Sequence, residues 1–143
     1  MKNIIAMVGE TGSGRKTAAN ALRQLGFYRI SIAAKVEEFA CRLFSKEEIE
    51  KSKPEIIKEV RKRGFRVSPN YWFNLILIDI PDDKGKIVFD DVEPDEIVNS
   101  NVIKFYHILR PNIPSPKLPN AEIINNGATK EAFIKEVQRI CGK

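Results

Sequence analysis

The chain has 143 residues, 43% of them hydrophobic and 30% charged, which excludes a disordered polymer and suits one domain with its own core. The formal net charge is +5, but much of it comes from lysines scattered among glutamates, the pattern of a solvated surface rather than a nucleic-acid footprint. No apolar run reaches the ~18 residues of a membrane span, the N-terminus runs directly into an apolar stretch with no signal peptide, and two cysteines are too few for a disulfide framework; a cytoplasmic protein is expected, with Cys41 and Cys141 reduced.

In chain order, Ile4-Ile5-Ala6-Met7-Val8 predicts a buried strand. It leads into Gly9-Glu10-Thr11-Gly12-Ser13-Gly14-Arg15-Lys16-Thr17, and Ala18 to Leu25 then predicts a helix. A strand, a glycine-rich loop and a helix start are the context of a phosphate-cradling loop, in which main-chain N–H groups and the helix dipole meet an anion. The usual spacing is Gly-x-x-x-x-Gly-Lys-Ser/Thr. Gly9 and Gly14 fit it, but Arg15 holds the lysine position, and Lys16 and Thr17 come one place late. The alternative is a tight strand-to-helix turn without a ligand.

Gly26 predicts the end of the first helix, Phe27 to Ile32 a second strand, and Ala33 to Phe44 a helix with Val36, Phe39, Ala40 and Leu43 on one face. Ser45 with Glu48 and Ser52 with Glu55 are capping signals, the second opening a helix that should stop at Gly64. Its exposed face carries Lys58, Arg61, Lys62 and Arg63. Asn70 to Ile78 predicts a largely buried helix, and Pro81 to Gly85 a turn. Lys86 to Phe89 predicts a strand ending in Asp90-Asp91, followed by a short helix over Pro94–Val98 and a strand over Val102–Leu109 that ends at Arg110-Pro111. The proline-rich stretch to Pro119 must be a surface loop. A brief strand, Glu122 to Ile124, and a helix capped by Thr129 complete the chain.

Strands alternating with helices predict an α/β fold, a parallel sheet with helices on both faces. Ligands of such sheets bind beyond the carboxyl ends of the strands, which puts Gly9–Thr17, Asp90, Asp91 and Arg110 along one edge.

These residues, taken in order over nearly the whole length, resemble the phage-type deoxynucleoside monophosphate kinases of the P-loop nucleotide-kinase superfamily. Gly12 to Thr17 is similar to that family's loop, and Gly26 to Ala33 to the segment after its first helix. Ser68-Pro69-Asn70-Tyr71-Trp72 is similar to its Asp-Pro-Asp-x-Trp helix start, and Ile87 to Val92 to its strand ending in Asp-Asp-Val. Leu109-Arg110-Pro111 and Ile123 to Gly127 resemble its two C-terminal signatures. The chain departs from the family at Arg15, at Lys16, at Ala34 where an Asp is expected, and at Glu93 where an arginine is expected. The proline-rich loop also replaces a His-x-Ser-Glu segment.

The resemblance implies transfer of the γ-phosphate of ATP to a nucleoside monophosphate, with ATP and Mg²⁺ as cofactors. Gly9, Gly12, Ser13, Gly14, Arg15, Lys16 and Thr17 would hold the triphosphate. Lys16 or Arg15 would neutralise its developing charge, with Arg110 clamping the transferred group, and Thr17 and Asp90 would hold the metal. Asp91, Arg61, Arg63 and Trp72 are the acceptor-side candidates. For Arg61 and Arg63 a solvated helix face is the competing reading, for Trp72 plain packing, and for Asp90 a cap on the next turn. His107, within an apolar strand, is expected in the core without a role. The departures support a second reading, a nucleotide-binding relative without transfer activity that works as a regulatory or interaction module. The partner expected is a small-molecule nucleotide, not nucleic acid or a membrane, and the sequence is compatible with an oligomer.

Overall fold

Ile4 to Val8 are each at most 4% exposed because their strand lies at the centre of a five-stranded sheet. The structure, a computed structural model, describes residues 2–142. It divides into two compact units, one formed by Met1–Ile30 with Pro81–Lys143 and the other by Ser31–Ile80.

The first unit holds the sheet. Its strands are β1 (Asn3–Val8), β2 (Tyr28–Ile30), β3 (Lys86–Val92), β4 (Ile103–Leu109) and β5 (Glu122–Asn125), in the order β2-β3-β1-β4-β5. Every pairing is parallel. Parallel sheets bury both faces, so their strands read as continuous apolar runs rather than alternating ones. On one face Ile5, Met7, Val88, Tyr106, Ile108 and Ile124 share a core with helix α1 (Arg15–Arg23) and helix α5 (Lys130–Cys141). Helix α1 meets that core through Ala18, Ala19, Ala21 and Leu22, mostly small side chains. The alternate residues Ile4, Ala6, Val8, Ile87, Phe89 and Phe105 are buried as well. The fold is the α/β parallel-sheet class that the sequence predicts.

Strand β3 differs from its expected form. Rather than ending at Phe89, it runs to Val92 and carries both aspartates inside it. Ala6 pairs with Phe89 and Val8 with Val92, so Asp90 and Asp91 together oppose Met7 in a β-bulge. Bulges of this kind re-aim side chains and cluster beside functional sites. Strand β2 is shorter than the expected 27–32 stretch. Ser31 turns extended and accepts the Ala34 N–H at 3.2 Å, starting the next helix early. The short helix expected after Asp91 is one 3-10 turn, Pro94–Glu96, closed by a Glu93/Glu96 capping box.

The second unit is helical: α2 (Ile32–Leu43), α3 (Lys46–Val67) and α4 (Tyr71–Ile78). The Ser45/Glu48 capping box forms in both directions, at 3.2 and 3.0 Å. Ser52 leaves helical geometry (φ −140°, ψ 32°) two residues before Pro54, so α3 is two helices joined across a kink. The expected stop at Gly64 does not occur, and the helix continues to Val67. Gly64 instead admits the Trp72 indole, which a Cβ there would overlap. Helix α4 buries Trp72, Phe73 and Ile76 but leaves Ile78 78% exposed, so it is buried on one stripe only.

The two cysteines differ sharply. Cys41 is exposed, whereas Cys141 lies in the α5 core with its thiol pushed up to about 12, chiefly by burial. Only thiolate reacts, and at pH 8 about one Cys141 in ten thousand carries it. Iodoacetamide should therefore modify one thiol per native chain and two after denaturation, counted by intact mass.

Candidate functional site

The loop after β1 is shaped by its glycines. Gly12 (φ 84°) and Gly14 (φ 112°) are left-handed, a conformation that side chains with a Cβ rarely adopt. At Gly14 a Cβ would also come within 2.6 Å of Asn126 Nδ2 and 3.2 Å of the Phe133 ring. Between the two glycines the Ser13 N–H donates to Glu10 O at 3.1 Å and closes a turn. The Ser13 hydroxyl is buried and has no hydrogen-bond partner among the described residues. Gly14 N-caps α1, and no side chain caps the first-turn N–H groups. A helix that starts this way carries free main-chain donors and a positive dipole end.

Four contacts hold the loop from outside. Gly9 N–H donates to Val92 O at 3.2 Å. Arg15 Nη1 donates to the same carbonyl at 2.9 Å. Arg110 Nη1 donates to Gly12 O at 3.1 Å, and Asn126 Nδ2 to Ser13 O at 2.8 Å. The sheet therefore brings the ends of β1, β3, β4 and β5 to one place, joining residues up to 113 positions apart.

Arg15, in the lysine position of the usual pattern, turns its guanidinium onto the end of β3. Lys16 is exposed beside it, and Thr17 is half-buried on the same first turn. Asp90 and Asp91 are buried, at 5% and 7% exposure. Asp90 does not cap the following turn. Its Oδ2 accepts from Arg29 Nε at 2.6 Å, while its Oδ1 is buried with no hydrogen-bond partner among the described residues. Arg29 escaped the sequence reading, since a lone cation on a short strand carries no local signal. Asn126 lies in the Ile123–Gly127 stretch that resembles a family signature, but nothing local in the sequence ties it to the loop after β1.

Trp72 is corrected. It is 2% exposed, donates from its indole to Arg61 O at 3.0 Å, and packs edge-on to Phe39 and Tyr71, which makes it a core residue of the second unit rather than a surface for a base. Arg61 and Arg63 belong to that unit too, Arg63 facing Glu59 one helical turn away at 3.4 Å. Their acceptor-side assignment rests on the sequence alone.

His107, the single histidine of the chain, is 2% exposed, and its Nε2 lies 2.8 Å from Ser115 Oγ in the proline-rich loop. Burial lowers its pKa below the usual histidine value, with the Glu10 charge acting weakly the other way. A depressed histidine is neutral when folded, so the unfolded chain binds the extra proton first as pH falls. Its contribution to stability is complete above the ordinary histidine pKa near ~6.5 and declines below it. Melting temperature should drop between pH 7 and pH 5, and His107→Gln should flatten that slope in a thermal-melt series.

An uncapped helix start behind left-handed glycines, flanked by Arg15, Lys16 and Arg110, is an arrangement that can hold an anion. Across its fold, the chain is similar to dephospho-CoA kinase from Campylobacter jejuni (TM-score 0.59, 19% identity, covering 98% of this chain and 96% of that one). It is also similar to an unliganded sugar kinase from a Janibacter species (TM-score 0.55, 14% identity, covering 97% and 94%). The fold is thus of the α/β P-loop type. No protein-family model matches the chain, and no curated protein matches it.

Proposed function

We propose that the chain is a P-loop phosphotransferase that binds ATP at the loop after β1 and passes its γ-phosphate to a nucleoside monophosphate. The observation that carries this reading is the uncapped start of α1, set by left-handed Gly12 and Gly14 among three cations. Phosphoryl transfer asks mainly for positioning and charge neutralisation, and this loop offers both. Gly9, Gly12, Ser13 and Gly14 shape the cradle, while Lys16, exposed and next to it, neutralises the phosphates. Arg110, held on the Gly12 carbonyl, lies beside the cradle on its β4 side and steadies the transferred group.

Mg²⁺ takes oxygen ligands and keeps much of its water. The half-buried Thr17 hydroxyl and the buried, unpartnered Asp90 Oδ1 are oxygens that fit it. When bound, the ion would neutralise charge between the β- and γ-phosphates. Asp91 is the acceptor-side candidate within the same unit. Dephospho-CoA kinase gives its name to one of the similar folds, and its acceptor belongs in the same assay. The test is ADP formation from Mg·ATP with a panel of nucleoside monophosphates and dephospho-CoA. Turnover with a monophosphate supports the reading, and turnover with dephospho-CoA alone replaces the acceptor.

One observation favours the second reading, a nucleotide binder without transfer. The residue in the lysine position, Arg15, donates to a main-chain carbonyl. ATP binding in calorimetry with no product from any acceptor would establish it.

A further inference from the structure

The Arg29–Asp90 pair has an asymmetry that a purely structural ion pair would not need. Arg29 stands opposite Val88 on β3, so Asp90 is its diagonal neighbour two residues on. The contact is short, 2.6 Å, and uses one carboxylate oxygen only. The aspartate side chain is 8% exposed and the arginine 26%. A buried carboxylate ordinarily has both oxygens satisfied, because an orphaned one keeps its desolvation cost. Here Oδ1 has no hydrogen-bond partner among the described residues. The bulge that places Asp90 and Asp91 against Met7 sets the carboxylate at this point of the strand, beside the end that meets Gly9 and Arg15.

From this geometry we infer that Arg29 is a positioning residue. It fixes Oδ2 of Asp90 and thereby keeps Oδ1 for the metal, with its water, that accompanies a bound nucleotide. The inference rests on the nucleotide-binding reading of the loop. Arg29 touches neither nucleotide nor metal and acts only through Asp90. The donor's placement matters as well as its charge, since the Nε–H sits on a planar group whereas a lysine ammonium would move on a flexible stem.

The test is calorimetric titration of ATP with Mg²⁺ and with EDTA, using the full chain, Arg29→Met, Arg29→Lys, Asp90→Asn and the double variant Arg29→Met/Asp90→Asn. The quantity read is the gain in ATP affinity that Mg²⁺ brings. Arg29→Met should reduce that gain about tenfold, as loss of an outer-shell partner does for metal ligands, and leave the metal-free affinity within about twofold. In the Asp90→Asn background the same substitution should change nothing further. Arg29→Lys should shift the gain in the same direction by less, and it carries the test should Arg29→Met fail to fold by circular dichroism. An unchanged or larger gain, equal losses with and without metal, or additive losses in the double variant would each overturn the inference. If the unaltered chain binds ATP under neither condition, the nucleotide reading itself is lost, and the wild-type titration alone shows that.

Discussion

Lys16→Ala should weaken Mg·ATP binding about 10- to 100-fold, the usual cost of removing one charge-assisted contact to a phosphate. Arg15→Ala should weaken it less than about threefold. The structural reason for the difference is where the guanidinium goes. Arg15 donates to Val92 O, tying the helix start to the end of β3, whereas Lys16 is exposed at the first turn. Removing Arg15 should instead lower folding stability by about 1 kcal/mol, the net value of a typical hydrogen bond. Parallel calorimetry and urea titrations of both variants separate the two roles. Loss of binding only in Arg15→Ala would mean that the guanidinium leaves Val92 and replaces the usual lysine directly. Unchanged binding in both would remove side-chain charge from the recognition of ATP by this loop.

Trp72→Ala should lower stability by about 3–5 kcal/mol. The side chain is 2% exposed, meets Phe39 and Tyr71 edge-on with centroids 5.7 and 5.0 Å away, and donates to Arg61 O. Truncation would remove that packing and the indole's hydrogen bond to the Arg61 carbonyl. Gly64→Ala tests the same contact from the other side. In an exposed helix that substitution would stabilise by roughly 1 kcal/mol. Here the added methyl meets the indole, so net destabilisation is expected. Since Trp72 is the one tryptophan, its emission reports the second unit directly during urea unfolding of Gly64→Ala. A Gly64→Ala chain as stable as the parent would mean that the indole can move away.

How much the sequence discloses varies with how local each determinant is. Ile4 to Val8 reads as a central strand because five consecutive apolar residues have few other uses. The Ser45/Glu48 box is visible because both partners lie within one turn. The loop is legible from its glycines, whose positive φ values are intrinsic to residues without a Cβ. Gly64 misleads for the opposite reason. A glycine near a helix end looks like a terminator, and only the folded chain brings Trp72 against it. The Ser31 cap was hidden by the apolar Ile30 and Ile32 on either side, which extended the strand on paper. Arg29 and Asp90 are 61 residues apart, and no periodicity connects a three-residue strand to a bulge elsewhere. Trp72 shows how a motif's residue type can match while its surroundings give it different work.

The strand order also constrains how the chain comes into being. Asn3 finds Lys86 and Ile4 finds Ile103, so the innermost strand has no neighbours until its partners have been synthesised. Closing such long loops is entropically costly and slow, whereas Ser31–Ile80 is one continuous segment whose helices meet one another over shorter separations. On a ribosome, the loop after β1, though made before the strands that flank it, should take shape only after them. Nascent chains arrested before β4 should leave the loop open to protease, and those released after β5 should protect it.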